Sequence, residues 1–281
     1  MSNDPHRPHD PYSRVNYRRL FAWDERIARE APFFRELLAK APDRSVLDLG
    51  CGTGEHVAFF SQEGLRAVGL DLSESMISAA RDHERAGHGR FVLGDATEAL
   101  TVLAEESPFG LAICLGNMLP HLEDADLGRF LRVAQAMLLP GGTLVIQLLN
   151  YEPVLAGQRR TLPVNVRPGD DGKEIVFVRV MSAGAPGRVL FFPSTFELDH
   201  DAEEPLTVKS SRRVDLRAWT RADLEPALDT AGFDSTFSGD MTGGAFEPER
   251  SADLVVVASR RGRVNLTQGS RRRRQAANEE R

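Results

Sequence analysis

Three glycines at every second position, Gly50, Gly52 and Gly54, follow the apolar run Val46-Leu47-Asp48-Leu49 and precede a stretch of helical character from Glu55 to Phe60. Glycine lets a backbone come within contact distance of a ligand, because no Cβ stands in the way. The helix start adds free N–H groups and positive dipole character, which favour a negative or polar ligand group. Polar residues follow later apolar runs in the same way: Asp71, then Asp95 with Ala96, then Gly116, Asn117 and His121, then Asn150 and Tyr151. A carboxylate at Asp71 can accept two hydrogen bonds from a ribose diol. Asp95 can accept from an adenine amino group, with Ala96 supplying a backbone donor. The plainer roles are a helix-start carboxylate before Ser73 for Asp71 and a turn residue in Gly94-Asp95-Ala96 for Asp95.

The elements that must carry these residues alternate regularly. Leu20, Trp23, Ile27, Phe34, Leu37 and Leu38 recur at helical spacing between Tyr12 and Lys40, with Pro32 dividing the segment or marking a first turn. Strands are expected at 45–49, 66–70, 90–93, 110–115 and 143–149, and helices at 54–63, 74–85 and 124–138. Residues 97–107 read as helix or loop, and Leu139-Pro140-Gly141-Gly142 reads as a stop and turn. Strand–helix alternation means a parallel sheet with right-handed crossovers. Ligands of such sheets bind outside the carboxyl ends of the strands, so the polar positions above converge on one crevice. The rhythm changes at Asn150. Residues 174–181, 188–198 and 205–216 read as strands joined by turns, an antiparallel insertion rather than another βαβ unit. Thr220-Arg221-Ala222-Asp223 then starts a helix with a capping-box signal, Gly232 closes it, and 233–239 and 253–259 make a last strand pair.

The totals set outer bounds. A chain of 281 residues, 41% hydrophobic and 27% charged, can bury a core without staples. The two cysteines, Cys51 and Cys114, sit far apart at strand ends, which argues against a disulfide framework and for a reducing, cytoplasmic setting. No apolar run approaches the roughly 20 residues needed to span a bilayer, and Met1 to Asp10 lack the apolar core of a signal peptide. The net charge of −6 is uneven, because the segment from Ser259 carries eight arginines against two glutamates. The body is therefore strongly acidic, which argues against a nucleic-acid-binding fold. The expected organisation is a disordered segment 1–11, an N-terminal helical cap 12–40, a core formed by 41–150 and 217–260, an antiparallel insertion 151–216, and a basic disordered tail 261–281. No metal site is expected, and the pattern leaves monomer and homo-oligomer equally open.

The glycine spacing separates two ligand classes. A dinucleotide fingerprint is G-x-G-x-x-G, whose backbone meets a pyrophosphate. The run Gly50-x-Gly52-x-Gly54 instead resembles the first motif of the class I S-adenosylmethionine-dependent methyltransferases. Asp48, Asp71, Gly94-Asp95-Ala96 and Pro140-Gly141-Gly142 match that family's later motifs in order, so the resemblance covers roughly 45–150. It implies a Rossmann-like seven-stranded, mostly parallel sheet whose last strand is antiparallel, completed by the pair at 233–259. It implies S-adenosyl-L-methionine as cofactor, with the methionine part over Gly50, Cys51, Gly52 and Gly54, the ribose on Asp71, and the adenine near Leu72, Asp95 and Ala96. Asp48 and Leu115 join that set. Met76 either covers the adenine face or packs in the core. Arg26 either reaches the methionine carboxylate or is an exposed surface arginine.

A narrower resemblance, to the glycine N-methyltransferase group, lies in Cys114-Leu115-Gly116-Asn117 with His121-Leu122 and in Asn150-Tyr151-Glu152 with Leu155. By residue-for-residue transfer, Asn117 meets the polar end of the methyl acceptor. Tyr17 resembles an N-terminal tyrosine that lies near the sulfonium, where a hydroxyl or ring face favours the cation; packing within a helix is its plainer role. In that group an arginine clamping an amino-acid carboxylate precedes the Asn-Tyr pair, whereas here the position is Leu149. Arg179, Arg213 and Arg217 are the substitutes on the insertion, each otherwise a surface charge. Methyl transfer needs alignment and a neutral nucleophile. An amine must first lose its proton, for which His121 is the best-placed acceptor, the alternative being a helix-start histidine that packs or caps. His56 is expected to be a surface residue or to act only at second remove. The resulting expectation is a methyltransferase acting on a small-molecule acceptor, most plausibly at an amine nitrogen. O- or C-methylation of a metabolite and a non-catalytic cofactor-binding module are the alternatives, and a nicotinamide oxidoreductase is disfavoured by the glycine spacing.

Overall fold

In the computed structural model, residues 17–82, 87–106 and 108–262 are described. Of the segments expected to be disordered, 1–11 and 263–281 lie outside them, whereas Arg261, at the start of the expected tail 261–281, pairs with Asp229 and Asp234.

A turn of 3₁₀ helix, Tyr17–Leu20, leads into α1 (Trp23–Lys40). The alternation then runs β1 (Ser45–Leu49), α2 (Glu55–Gln62), β2 (Arg66–Asp71), α3 (Glu74–Arg81), β3 (Arg90–Leu93), a 3₁₀ turn Ala96–Glu98, α4 (Ala99–Val102), β4 (Phe109–Cys114), a 3₁₀ turn Leu119–His121, α5 (Asp124–Met137) and β5 (Leu138–Leu149). After α6 (Glu152–Leu155) come five strands: β6 (Asn165–Pro168), β7 (Glu174–Ala183), β8 (Arg188–Leu198), β9 (Leu206–Ser211) and β10 (Val214–Arg217). The chain closes with α7 (Arg221–Thr230), β11 (Phe233–Ser238) and β12 (Asp253–Arg260).

The main sheet has seven strands in the order β11-β12-β5-β4-β1-β2-β3. All pairings from β5 to β3 are parallel, and β12 runs antiparallel to both β5 and β11. Every residue of β1 and of β4 is buried, the pattern of strands covered on both faces. Successive residues of β1 alternate between two cores. Val46 joins Phe34, Val57 and Phe60 of α1 and α2 on one face, while Leu47 and Leu49 join Phe130 and Leu131 of α5 and Leu224 and Leu228 of α7 on the other. Each such fully buried side chain contributes about 1.5–3 kcal/mol relative to exposure.

The second sheet is antiparallel, in the order β10-β8-β7-β6, with β9 also pairing β8. It docks on the main core through Met181 and Val189, which are 1% and 0% exposed. Asn165 Nδ2 donates to the carbonyl of Leu20 at 3.0 Å, and Arg19 pairs with Asp170 at 2.7 Å, so the insertion also holds the N-terminal turn.

Four local expectations needed correction. Pro32 does not divide the N-terminal helix: α1 runs through it, carried by the docking of Phe34 edge-on to Phe60 at 5.3 Å. The Leu139–Gly142 segment is not a turn between elements. It is the irregular start of β5, where the register against β4 shifts and Gly141 takes a φ of +77°. The stretch 205–216 is two strands, β9 and β10, and the short β6 gave no alternation long enough to read. Helix α3 ends at Arg81 rather than continuing to 85. No helix among the described residues is long and apolar enough to cross a membrane.

Candidate active site

The tight turn after β1 is built on left-handed backbone. Gly50, Gly52 and Gly54 have φ of +94°, +53° and +86°, conformations that a side chain disfavours. The N–H groups of Gly50 and Cys51 both donate to the carbonyl of Leu70, at 2.7 and 3.0 Å, which stitches the turn to the end of β2. A Cβ on Gly50 would meet Met118 Cγ at 2.5 Å, and one on Gly54 would meet the Phe91 ring at 2.6 Å. A Cβ on Gly52 would meet nothing within 4 Å. Gly50 and Gly54 are therefore required by packing, whereas Gly52 opens on unfilled space, as does Gly116 at the end of β4.

Asp71 closes this turn from β2. Its Oδ2 accepts the N–H of Gly52 at 2.8 Å and its Oδ1 accepts the N–H of Ser73 at 2.9 Å. Both oxygens are oriented by these backbone donors. Leu72 beside it is 70% exposed, unusual for a leucine next to a cleft of polar groups. Ser73 caps α3 by accepting from Met76 N–H. Met76 is 5% exposed, the core position of its two readings. Asp95 caps the 3₁₀ turn after β3 by accepting the Thr97 N–H at 2.7 Å, with Ala96 partly exposed beside it. Leu115 and Cys51 are buried.

Beyond β4 and β5 lies a second polar group. Asn117 takes a φ of +69°, and its Oδ1 accepts both the Leu149 N–H at 3.1 Å and the Tyr151 phenol at 2.9 Å. Its Nδ2 has no hydrogen-bond partner among the described residues. Burial pushes the Tyr151 phenol well above its ordinary range, with the bond to Asn117 opposing, so it stays a donor. Gln147 Oε1 receives the Gly116 N–H at 2.9 Å. Asn150 is 2% exposed and fully occupied, donating to the carbonyls of Pro248 and Ser251 and accepting from Glu152 N–H. It anchors the chain ahead of β12 and leaves nothing for a ligand.

His121 ends the Leu119–His121 turn and is exposed as a residue. Desolvation first, and then the charge of Arg212, lower its pKa below the ordinary imidazole value. The turn is pinned from the insertion side, where Trp219 Nε1 donates to the Leu119 carbonyl at 3.1 Å.

On the opposite side of the glycine turn, α1 supplies a group that sequence reading only half foresaw. Arg26 Nε donates to Glu30 Oε1 at 2.8 Å, and the other oxygen of Glu30 pairs with His56 Nε2 at 2.8 Å. His56 is 6% exposed and meets the rings of Trp23 and Phe34 edge-on, so it is a core residue and not a surface one. Burial alone would raise the Glu30 carboxyl, but the bond to His56 and the charge of Arg26 hold it at about 2. The positive charge of Arg26 also reaches Asp48 and Asp253. Asp48, 2% exposed on β1, is pushed up to about 8 by burial, with Asp71 and Glu55 adding and Arg26 opposing. Asp253 is raised by burial, against a bond to Gln147. Because β12 is antiparallel, Asp253 at its start stands beside Leu149 at the carboxyl end of β5. Glu30, Asp253 and Gln147 were not foreseen. Glu30 had a signal, an i,i+4 partner for Arg26, whereas Asp253 is brought in by a strand pairing that spacing does not reveal.

The remaining candidates are placed as follows. The side chain of Tyr17 lies outside the described residues. Arg217 lies over the Trp219 ring and bonds Asp124, Asp223 and the Gly187 carbonyl, so it is a structural pin and not a substrate clamp. Arg179 lies over Phe21 and Phe177 and donates to the Pro163 carbonyl, and Arg213 is exposed.

The arrangement fits an adenosine bearing an amino-acid tail. The Asp71 carboxylate is set on the glycine turn, and a Cβ-sized space stands open over Gly52. The buried indole N–H of Trp23 has no partner among the described residues. Comparison with known proteins agrees. Residues 46–142 match the family model described as a methyltransferase domain. The chain is 32% identical over 140 residues to the glycine/sarcosine N-methyltransferase of Parasynechococcus marenigrum (strain WH8102), covering 50% of each chain. It is 29% identical over 150 residues to the ubiquinone biosynthesis O-methyltransferase of Bradyrhizobium sp. (strain ORS 278), covering 52% of this chain and 56% of that one. The chain thus spans about half the length of the curated relatives it matches. Among solved structures, CalS10 with S-adenosylmethionine bound, an amino pentose methyltransferase from Micromonospora echinaspora involved in calicheamicin biosynthesis, superposes with a TM-score of 0.64. That match has 23% identity and covers 85% of this chain and 92% of that one, a likeness of fold.

Proposed function

We propose that this protein, whose residues 46–142 match the family model described as a methyltransferase domain, is an enzyme that moves a methyl group from S-adenosylmethionine to a small-molecule acceptor, at an amine nitrogen. The observation that carries the reading is the bond from Gly52 N–H to Asp71 Oδ2 at 2.8 Å, which makes the glycine turn and the diol-reading carboxylate one preformed unit. The cofactor, when bound, supplies a methyl group on a positively charged sulfur, ready for in-line displacement. Asp71, oriented by its two backbone bonds, accepts from the ribose hydroxyls. Leu72, Asp95 and Ala96 flank the adenine, and Arg26 meets the tail carboxylate.

The acceptor side follows from what Asn117 has left to offer. Its oxygen is occupied by Leu149 and Tyr151, so it presents N–H donors only. It therefore grips an oxygen of the acceptor, a hydroxyl or carbonyl near the nucleophile, and not the amine proton. His121, kept neutral by its surroundings and by Arg212, is the group able to take a proton from the acceptor's ammonium. The insertion, which packs beside His121 and the N-terminal turn, selects the acceptor. With Leu149 where an arginine clamp would stand, free glycine is a poor candidate.

Isothermal calorimetry with S-adenosylhomocysteine and with NAD, followed by turnover on an amine panel, tests this reading. Binding of the first ligand alone, and turnover lost in Asn117→Ala and His121→Ala, support it. Unchanged rates in both variants would remove the roles given to these residues. The similarity to an O-methyltransferase favours hydroxyl methylation as the second reading, and a phenol panel run beside the amines distinguishes the two.

A further inference from the structure

Trp23, Arg26 and Glu30 lie three and four residues apart on α1, so the helix presents them as one row. Both oxygens of Glu30 are taken, one by Arg26 Nε and one by His56 Nε2, each at 2.8 Å. The side chains of Glu30 and His56 are 8% and 7% exposed. A buried carboxylate is tolerated only when it is paired, and here the pairing is complete. His56 is the second residue of α2, and α2 begins directly after Gly54. Its ring is held edge-on by Trp23 and Phe34, each at 6.0 Å between centroids. The result is a rigid strut from the glycine turn to the arginine. It holds Nε, and the two Nη groups make no hydrogen bond among the described residues.

We infer that Glu30 and His56 are positioning residues, which set the Nη fork of Arg26 to receive the carboxylate of the cofactor's amino-acid tail. The inference rests on the reading above that Arg26 meets that carboxylate. An unheld arginine must lose side-chain freedom when it binds, whereas one fixed through Nε has little left to lose. Because the strut starts on α2, the fork keeps its distance from the turn that seats the rest of the ligand.

The test compares two ligands that share adenine, ribose and thioether. S-adenosylhomocysteine carries the amino-acid tail and 5′-methylthioadenosine lacks it. Calorimetry is run on the full chain as wild type, Glu30→Gln, Arg26→Ala and the double variant. The expected result is that Glu30→Gln weakens S-adenosylhomocysteine about tenfold, or about 1.4 kcal/mol, and leaves methylthioadenosine unchanged. In the Arg26→Ala background, Glu30→Gln should have no further effect. Equal weakening of both ligands, no weakening of either, or additive effects of the two substitutions would overturn the inference. If Glu30→Gln does not fold, His56→Gln, which keeps a donor for Glu30, is compared with His56→Phe, which does not. Selective loss of the tailed ligand in His56→Phe alone supports the strut, and loss in neither or both overturns it. A wild type that binds neither ligand would fail the cofactor reading itself, a separate outcome from a wild type that binds both and shows no selective effect.

Discussion

The Tyr151 phenol donates to Asn117 Oδ1 at 2.9 Å, across the gap between the chain leaving β5 and the chain leaving β4. Tyr151 is 1% exposed and Asn117 holds a left-handed backbone, so the bond, together with that from Leu149 N–H, fixes the amide. Tyr151→Phe keeps the packing and removes the bond. We expect a fall in stability of about 1 kcal/mol, the usual contribution of one such bond. Turnover should fall while affinity for S-adenosylhomocysteine stays at the wild-type value. Chemical denaturation, steady-state rates and calorimetry on the same preparation check this. An equal loss of cofactor affinity would place Tyr151 in the wrong half of the site.

Gly52 and Gly54 should fail differently when replaced by alanine. At Gly54 a Cβ meets Phe91 at 2.6 Å, so Gly54→Ala should destabilise the fold by more than the roughly 1–2 kcal/mol of left-handed strain alone. At Gly52 a Cβ meets nothing in the protein, so Gly52→Ala should show the strain alone. It should still weaken S-adenosylhomocysteine strongly, because the methyl enters the ligand's space. Thermal melts with and without ligand separate the two. Equal melting shifts in the absence of ligand would contradict the packing argument.

Asp48 should make stability depend on pH with a defined sign. Its carboxyl is pushed up to about 8 in the folded chain, first by burial and then by Asp71, above its unfolded value of 3.8. The folded state thus holds the proton more tightly, so this contribution is full below the unfolded value and is lost as pH rises toward the folded one. Glu30, held at about 2, works the other way, its contribution being present above its unfolded value of 4.5 and lost in acid as pH falls toward 2. The difference between wild type and Asp48→Asn isolates the first effect. The asparagine variant should gain on wild type steadily between pH 5 and pH 8. A difference that stays flat over that window would show that Asp48 does not titrate there.

Arg212 should set the acid side of the rate profile. Desolvation by its surroundings and then the Arg212 charge lower the His121 pKa, keeping a neutral base available below the usual imidazole range. Arg212→Met removes that positive charge, so the acid limb of kcat should move to higher pH. An unmoved limb would mean that His121 is not the base that the profile reports.

Much of the fold was legible because its signals are local. Continuous apolar runs at β1 and β4, the Ser73 and Thr220 caps, and the turn at Gly184–Gly187 each announce an element without knowledge of the rest. The breaks at Pro32 and Gly141-Gly142 misled for one reason: tertiary pairing carried the chain through residues that would end an isolated element. In the site, the glycine turn and Asp71 were legible because backbone approach demands glycine and a strand tip fixes where the carboxylate sits. The second use of Asn117 was not, since a side chain's choice between substrate and Leu149 leaves no mark in sequence. Nor were Asp253, which enters by antiparallel pairing, or the His56–Glu30 bond, which joins residues on two helices.

Calorimetric titration of the full chain with S-adenosylhomocysteine, with NAD in parallel, tests the cofactor site most directly. We expect saturable one-site binding of S-adenosylhomocysteine below the millimolar range, lost in Asp71→Asn, and no heat with NAD. No S-adenosylhomocysteine binding below the millimolar range, or saturable binding of NAD in its place, would contradict this expectation.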